Sequence, residues 1–378
     1  MQTLVFHAYR DNAAKSSALV FAARYLASLG HTVGVLDLDL EAPCMHYRLL
    51  SESERARMNG GLIDDLSYFA QHRELSPEPR FCHAEEAENQ SGKIILMPAG
   101  NAPKGSFFQS LAALRKSNFF HGDHAAIVPL LLELKDKFER QFSPSYLFID
   151  THSGVSELGG IALAVLADTA LCFIDDTRES LDGTGALVHG LSDLSRLPGQ
   201  DALQILPVTF DFPGECASQD ELAKVHAALA SQLFDAASPP VLRPPIGLVS
   251  QHFADGLASS GTRFGPLLRA LFPDFLESLL HGELERISRA MMDVPDVALH
   301  LLEALVERIP HPAGYRVLLQ FYRFKGQFTD KTLLALHAYC RAEPKPDSAL
   351  VRFLAQGCLS QGLQSPTLAS WARAQISL

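Results

Sequence analysis

The chain has 378 residues, long enough for two domains, with 47% hydrophobic and 20% charged residues and a formal net charge of −11. That balance is ordinary for a globular protein and, with no cluster of Lys or Arg, disfavours a protein that coats nucleic acid by neutralising phosphates. No apolar run approaches the roughly 18–20 residues needed to span a bilayer, and the first residues lack a basic leader segment, so a cytoplasmic protein is expected and a membrane protein is not.

The first predicted element is an apolar strand, Thr3 to Tyr9, followed directly by Arg10, Asp11, Asn12, Ala13, Ala14, Lys15, Ser16 and Ser17. A helix is predicted from Ala18 to Leu29, ending at Gly30. A second strand, Val33 to Leu36, then runs into Asp37, Asp39, Glu41 and Pro43. Strand, loop ending in Lys-Ser, helix, and a strand ending in carboxylates is the layout of a nucleoside-triphosphate site. In such a site backbone N–H groups cradle phosphate, the Lys reaches the β and γ phosphates, and the hydroxyl holds Mg²⁺. The helix adds its positive end to the same place. The loop here has Asp, Asn, Ala and Ala where glycines normally turn the backbone, and Ala at positive φ carries a steric cost. On these residues alone an ordinary helix start fits as well.

Further along, Glu74 to Gly92 is polar and Pro-containing, and reads as a solvated loop. The group Phe119, His121, Asp123 and His124 reads as a surface loop rather than a metal cluster. Next, Ser145 to Asp150 is a buried strand ending in a carboxylate, followed by Thr151, His152, Ser153 and Gly154. Asp150 stands where a carboxylate holds the magnesium water, and Gly154 permits a loop that repositions with a γ-phosphate. A helix from Leu158 to Leu166, strands Ala170–Ile174 and Leu203–Phe210, and the stiff Pro-rich segment Ser238–Pro245 complete the alternation. Alternating strands and helices argue for an α/β domain, a mostly parallel sheet with helices on both faces.

These motifs resemble the ParA/MinD-type group of P-loop ATPases, and more narrowly the branch whose loop reads KGGVGR and whose next strand ends in DLDLEAPG. Asp37-Leu-Asp39-Leu-Glu41-Ala-Pro43 is the most specific match. Phe6-His-Ala-Tyr9-Arg10 to Lys15-Ser16 and Leu147-Phe-Ile-Asp150-Thr-His-Ser-Gly154 are similar to that branch's FYSYKGGVGRS and LIDSRTG. The resemblance covers about residues 1–275 and implies ATP and Mg²⁺ as cofactors, bound along Asp11–Ser17. Lys15 would hold phosphates, and Ser16, Asp37 and Asp150 the metal. Asp39 or Asp150 would position the attacking water. Arg10 would stand for the group's lysine that reaches across a homodimer, and a protein partner would be controlled by the switch. The altered loop keeps a second outcome open, a scaffold that binds nucleotide weakly or not at all.

After about residue 275 the chain reads as helix only, with breaks at Pro295, Pro310 and Pro312, Gly326, Pro344 and Pro346, and Pro366. Residues 276–378 are expected to form stacked antiparallel helices, a fold that more often binds protein than carries chemistry. The last segment, with Leu368, Trp371 and one Arg373, reads as a closing helix rather than a membrane anchor. The six cysteines have no metal-like or CxxC spacing and read as reduced thiols.

Overall fold

The computed structural model describes the chain apart from residues 11–12, 78–79, 85–91, 102–104, 117–118, 120–123, 195, 198, 213–216, 234–238, 249–259, 294, 344, 363–364 and 378. Its strands are β1 (Gln2–Ala8), β2 (Thr32–Asp37), β3 (Cys82–His83), β4 (Lys93–Met97), β5 (Tyr146–Asp150), β6 (Thr169–Ile174), β7 (Gln204–Thr209), β8 (Val241–Leu242) and β9 (Ile246–Gly247). They form one sheet in the order β3-β4-β2-β5-β1-β6-β7-β8, with β9 also on β7. Every pairing is parallel except β3 with β4 at the edge.

The central strands are mostly apolar because both faces are covered; all six residues of β6 are buried. Val5, Ile149 and Leu147 belong to the core cluster that includes Leu130, Leu134 and Phe138 of the helix His124–Phe142. Gly34 in β2 makes that approach possible, since a Cβ there would lie 2.9 Å from the Phe138 ring. Alternation turns Leu4 and Phe6 to the other face, where Phe6 packs on Phe148 at 5.3 Å. The helix Ala13–Ser28 touches β1, β2, β4 and β5, and its Leu19, Ala22 and Leu26 are fully buried.

The described part of the stretch expected to be a solvated loop is more ordered than that. Cys82–His83 pairs antiparallel with β4, and Arg80 Nε bonds Asp65 Oδ1 at 3.0 Å. Asp65 is buried in the first turn of the helix Leu62–His72, and a buried carboxylate needs such a partner. The helix expected at Leu158–Leu166 divides into an α-turn, Glu157–Ile161, and a π-helical turn, Ala162–Leu166.

The chain divides into two compact units between Gly247 and Leu248. Residue 275, where the sequence analysis places its boundary, lies inside the helix Pro273–Asp293. The second unit is helical: Ser260–Leu271, Pro273–Asp293, Pro295–Arg308, Pro312–Lys325, Asp330–Ala342, Ser348–Gln361 and Pro366–Ser377. Each helix packs on the next. Three of the expected breaks, Pro295, Pro312 and Pro366, are first helical residues, where the missing N–H costs nothing. Gly326 ends one helix at φ +64, and Thr329 and Asp347 cap the next two.

Candidate functional site

Strand order decides where the chemistry gathers. β1 lies between β5 and β6, β2 lies beyond β5, and so the carboxyl ends of β2, β5 and β1 are neighbours. The β2–β5 register pairs Asp37 with Asp150, and both carboxylates are fully buried. Burial is the main cause that raises both above the ordinary carboxylate range; Asp150 and Asp39 push Asp37 further, while Lys15 opposes the rise at Asp150.

Lys15 reaches this pair from the first turn of the helix Ala13–Ser28. Its Nζ stands 3.0 Å from Asp150 Oδ1 and donates to the Thr151 carbonyl. Ser16 Oγ donates to Asp150 Oδ2 at 3.3 Å, and Cys44 Sγ stands 3.9 Å from the same oxygen. Burial, then Asp150 and Asp37, push that thiol up to about 11. Asp37 accepts from the N–H groups of Asp39 (3.1 Å) and Met45 (3.2 Å), which wraps the 38–44 turn around it. Asp39 Oδ1 accepts from the N–H groups of Glu41 (3.2 Å) and Ala42 (2.9 Å), and His152 Nδ1 lies 2.9 Å away.

The cluster thus holds three carboxylates against one lysine, with Asp37 and Asp150 fully buried and Asp39 nearly so. Such an excess is relieved by protons or by a divalent cation. Among the described residues no three His, Cys, Asp or Glu side chains converge to hold a metal unaided. A Mg²⁺ ion needs fewer protein donors than that, since it takes one or two carboxylates and completes its shell with water and phosphate oxygens. Ser16, Asp37 and Asp150 fit such a set. The helix that carries Lys15 and Ser16 has no acidic residue in its first turn, and a helix start of this kind favours an anion.

The remaining expected site residues disperse. Asp11 and Asn12 lie outside the described residues, as do His121, Gly122 and Asp123. Ala13 opens the helix and Ala14 is buried within it; neither has positive φ, so the steric cost expected of Ala in a loop does not arise there. Ser17 Oγ accepts from Arg48 at 2.9 Å and so is engaged away from Asp150. Arg10 donates to Thr177 Oγ1 at 3.0 Å and lies 3.7 Å from Asp175, beside the end of β6. The adjacent Tyr9 ring lies against the helix Arg178–Ser192, where a Cβ on Gly183 would come within 2.3 Å of it.

Four residues make contacts in this site that the sequence analysis does not assign: His7, Cys44, Thr151 and His152. Thr151 Oγ1 donates to the Phe6 carbonyl at 3.0 Å, and therefore accepts from His7 Nδ1 at 2.9 Å. Thr151 and His152 directly follow a motif carboxylate, and His7 is the one polar residue late in an apolar strand. Their positions are conspicuous in the sequence; their partners are not.

A parallel sheet whose first strand leads to a helix carrying Lys-Ser, with carboxylates closing the strands beside it, defines a P-loop type of nucleoside-triphosphatase fold. The chain is similar in structure to protein DIP2308 from Corynebacterium diphtheriae (15% identity, 72% of this chain and 100% of that one, TM-score 0.49). It is also similar to pNOB8 ParA (16% identity, 65% and 82%, TM-score 0.47) and to the MinD cell division protein of Aquifex aeolicus (14% identity, 65% and 82%, TM-score 0.37). No protein-family profile matches the chain, and no curated protein matches it. At these identities and TM-scores the likeness says nothing of activity.

Proposed function

We propose that the first unit binds ATP with Mg²⁺ and works as a dimeric nucleotide switch that controls a protein partner. The observation that carries this reading is the convergence of Lys15 and Ser16, from one helix start, on Asp150, with Asp37 in register beside it. Lys15 is the residue for the β and γ phosphates, while Ser16, Asp37 and Asp150 would hold Mg²⁺ directly or through water. The bound ion would neutralise phosphate charge. Asp39 is the carboxylate left to orient an attacking water, since it lies beside the pair without belonging to it. Arg10 keeps a fork suited to phosphate, and reaching a second copy requires it to leave Asp175 and Thr177.

One observation favours the scaffold alternative. Lys15 is 2% exposed and already satisfied by Asp150 and the Thr151 carbonyl, so phosphate must displace a buried ion pair. In that case the helical unit carries the function through its partners.

Calorimetry with ATP and Mg²⁺ on the wild type and on Lys15→Met separates the two, with phosphate release followed on the same samples. The Met stem fills the lysine's space, and Asp150 takes up a proton when its cation is gone. A thermal melt verifies that the variant is folded. Micromolar binding that is lost in Lys15→Met, with slow release of phosphate, supports the switch. A folded wild type that shows no heat at millimolar ATP establishes the scaffold instead.

A further inference from the structure

The nucleotide reading leaves unused a contact that joins residues 113 apart in the chain, His152 Nδ1 to Asp39 Oδ1 at 2.9 Å. Facing a carboxylate, that ring nitrogen is the donor. Asp39 Oδ1 accepts from three groups: two N–H donors of its own turn, and an imidazole from the loop after Asp150. The backbone on either side of His152 is pinned to the end of β1. Thr151 N–H donates to the Phe6 carbonyl at 3.3 Å, and Gly154 N–H to the Ala8 carbonyl at 2.9 Å. Gly154 holds φ +78, a conformation a side chain would strain, so the ring is presented to Asp39 by an anchored turn. The far edge of the ring, Nε2, lies 4.0 Å from Glu41 Oε2. There it helps line a cavity of about 540 Å³ with Leu38, Leu40, Leu111 and Ser153.

We propose that His152 is a positioning residue. Through Nδ1 it holds the Asp39 carboxylate in one orientation and ties it to the turn that follows Asp150. This rests on the nucleotide reading, in which Asp39 orients the attacking water. A carboxylate held by its own turn alone keeps its place but gains freedom to rotate, and orientation is what an attacking water requires of it.

The test uses the full chain with ATP and Mg²⁺, measuring kcat and KM from phosphate release and the dissociation constant by calorimetry. His152→Ala removes the donor. His152→Asn keeps an N–H near the position of Nδ1 without the ring. The expected result is a kcat lower by about tenfold or more in His152→Ala, the loss of one charge-assisted hydrogen bond, with KM and ATP affinity unchanged. His152→Asn should restore kcat to within about threefold of wild type. A His152→Ala protein with wild-type kcat, a loss that appears in KM instead, or an Asn variant as slow as Ala would each overturn the proposal while ATP binding stands. A wild type that binds no ATP, or binds it without releasing phosphate, overturns it as well. The calorimetry on the wild type identifies the first of these as a failure of the nucleotide reading itself.

Discussion

His7 sits in a strand buried on both faces, with its ring 2% exposed. Burial, and then the nearby Lys15 and His152, hold it neutral and push its pKa from 6.5 down to about 3. Below pH 6.5 the unfolded chain takes up a proton that the folded chain refuses. The stability tied to neutral His7 is therefore complete above that pH and is lost as pH falls towards 3. His46, equally buried and pushed down to about 4, acts in the same direction. Asp65, raised to about 6 by burial against the pull of Arg80 and Lys137, acts in the opposite one. Its folded form gains protons first, and so gains stability as pH falls from about 6 to its unfolded value. Comparing wild type with His7→Asn isolates the first effect. Their stability difference in urea should narrow by up to about 1.4 kcal/mol per pH unit between about pH 6.5 and about pH 5. A difference that stays constant over that range would show that His7 titrates alike in both states.

At the scale of elements, the helix that carries Lys15 begins five residues earlier than the sequence analysis places it, at Ala13 rather than Ala18. Ala is the best helix former, and two in succession extend the helix back towards the strand. Read as loop residues, the same two alanines look like damage. At the end of the strand before them, the Tyr9 ring packs on Gly183, inside the helix Arg178–Ser192. Gly183→Ala sets two effects against each other. Helix propensity alone would add stability of about 1 kcal/mol. A Cβ at 2.3 Å must instead drive the Tyr9 ring away, and overpacking of this kind costs about 1–3 kcal/mol. We expect Gly183→Ala to destabilise the wild type but to stabilise the Tyr9→Ala protein, a sign change that a double-mutant cycle measures. The same sign in both backgrounds would mean that the ring moves aside freely.

At the scale of the molecule, the described residues of 1–247 and of 248–378 form separate compact units. The second holds its own fully buried side chains, among them Leu302, Leu319, Leu333, Leu336, Leu354 and Cys358. Because each helix packs on its neighbours in sequence, its contacts are local and the loops to be closed are short. Residues 248–378 expressed alone should be helical by circular dichroism and melt in one cooperative transition. A broad, sloping melt would show that this unit depends on the first for its fold.

The residues of the candidate site were legible to different depths, for physical reasons. Asp37, Asp39 and Asp150 stand at or just past the ends of apolar runs, where charge is conspicuous in one dimension, and Lys15 and Ser16 stand out as a Lys-Ser pair at a helix start. The α/β alternation and the helical array after it follow from periodicity and proline, which act locally. What only the tertiary structure decided is which ends meet. Parallel pairing across crossovers sets Asp37 beside Asp150, brings His152 to Asp39 over 113 residues, and turns Arg10 to Asp175 and Thr177. It also decided that the helix Ser260–Leu271 belongs with the second unit, where Arg269 donates to the Pro310 carbonyl at 2.6 Å. Local propensity carries no information about partners so distant in the chain, because such contacts form only when the sheet closes its order.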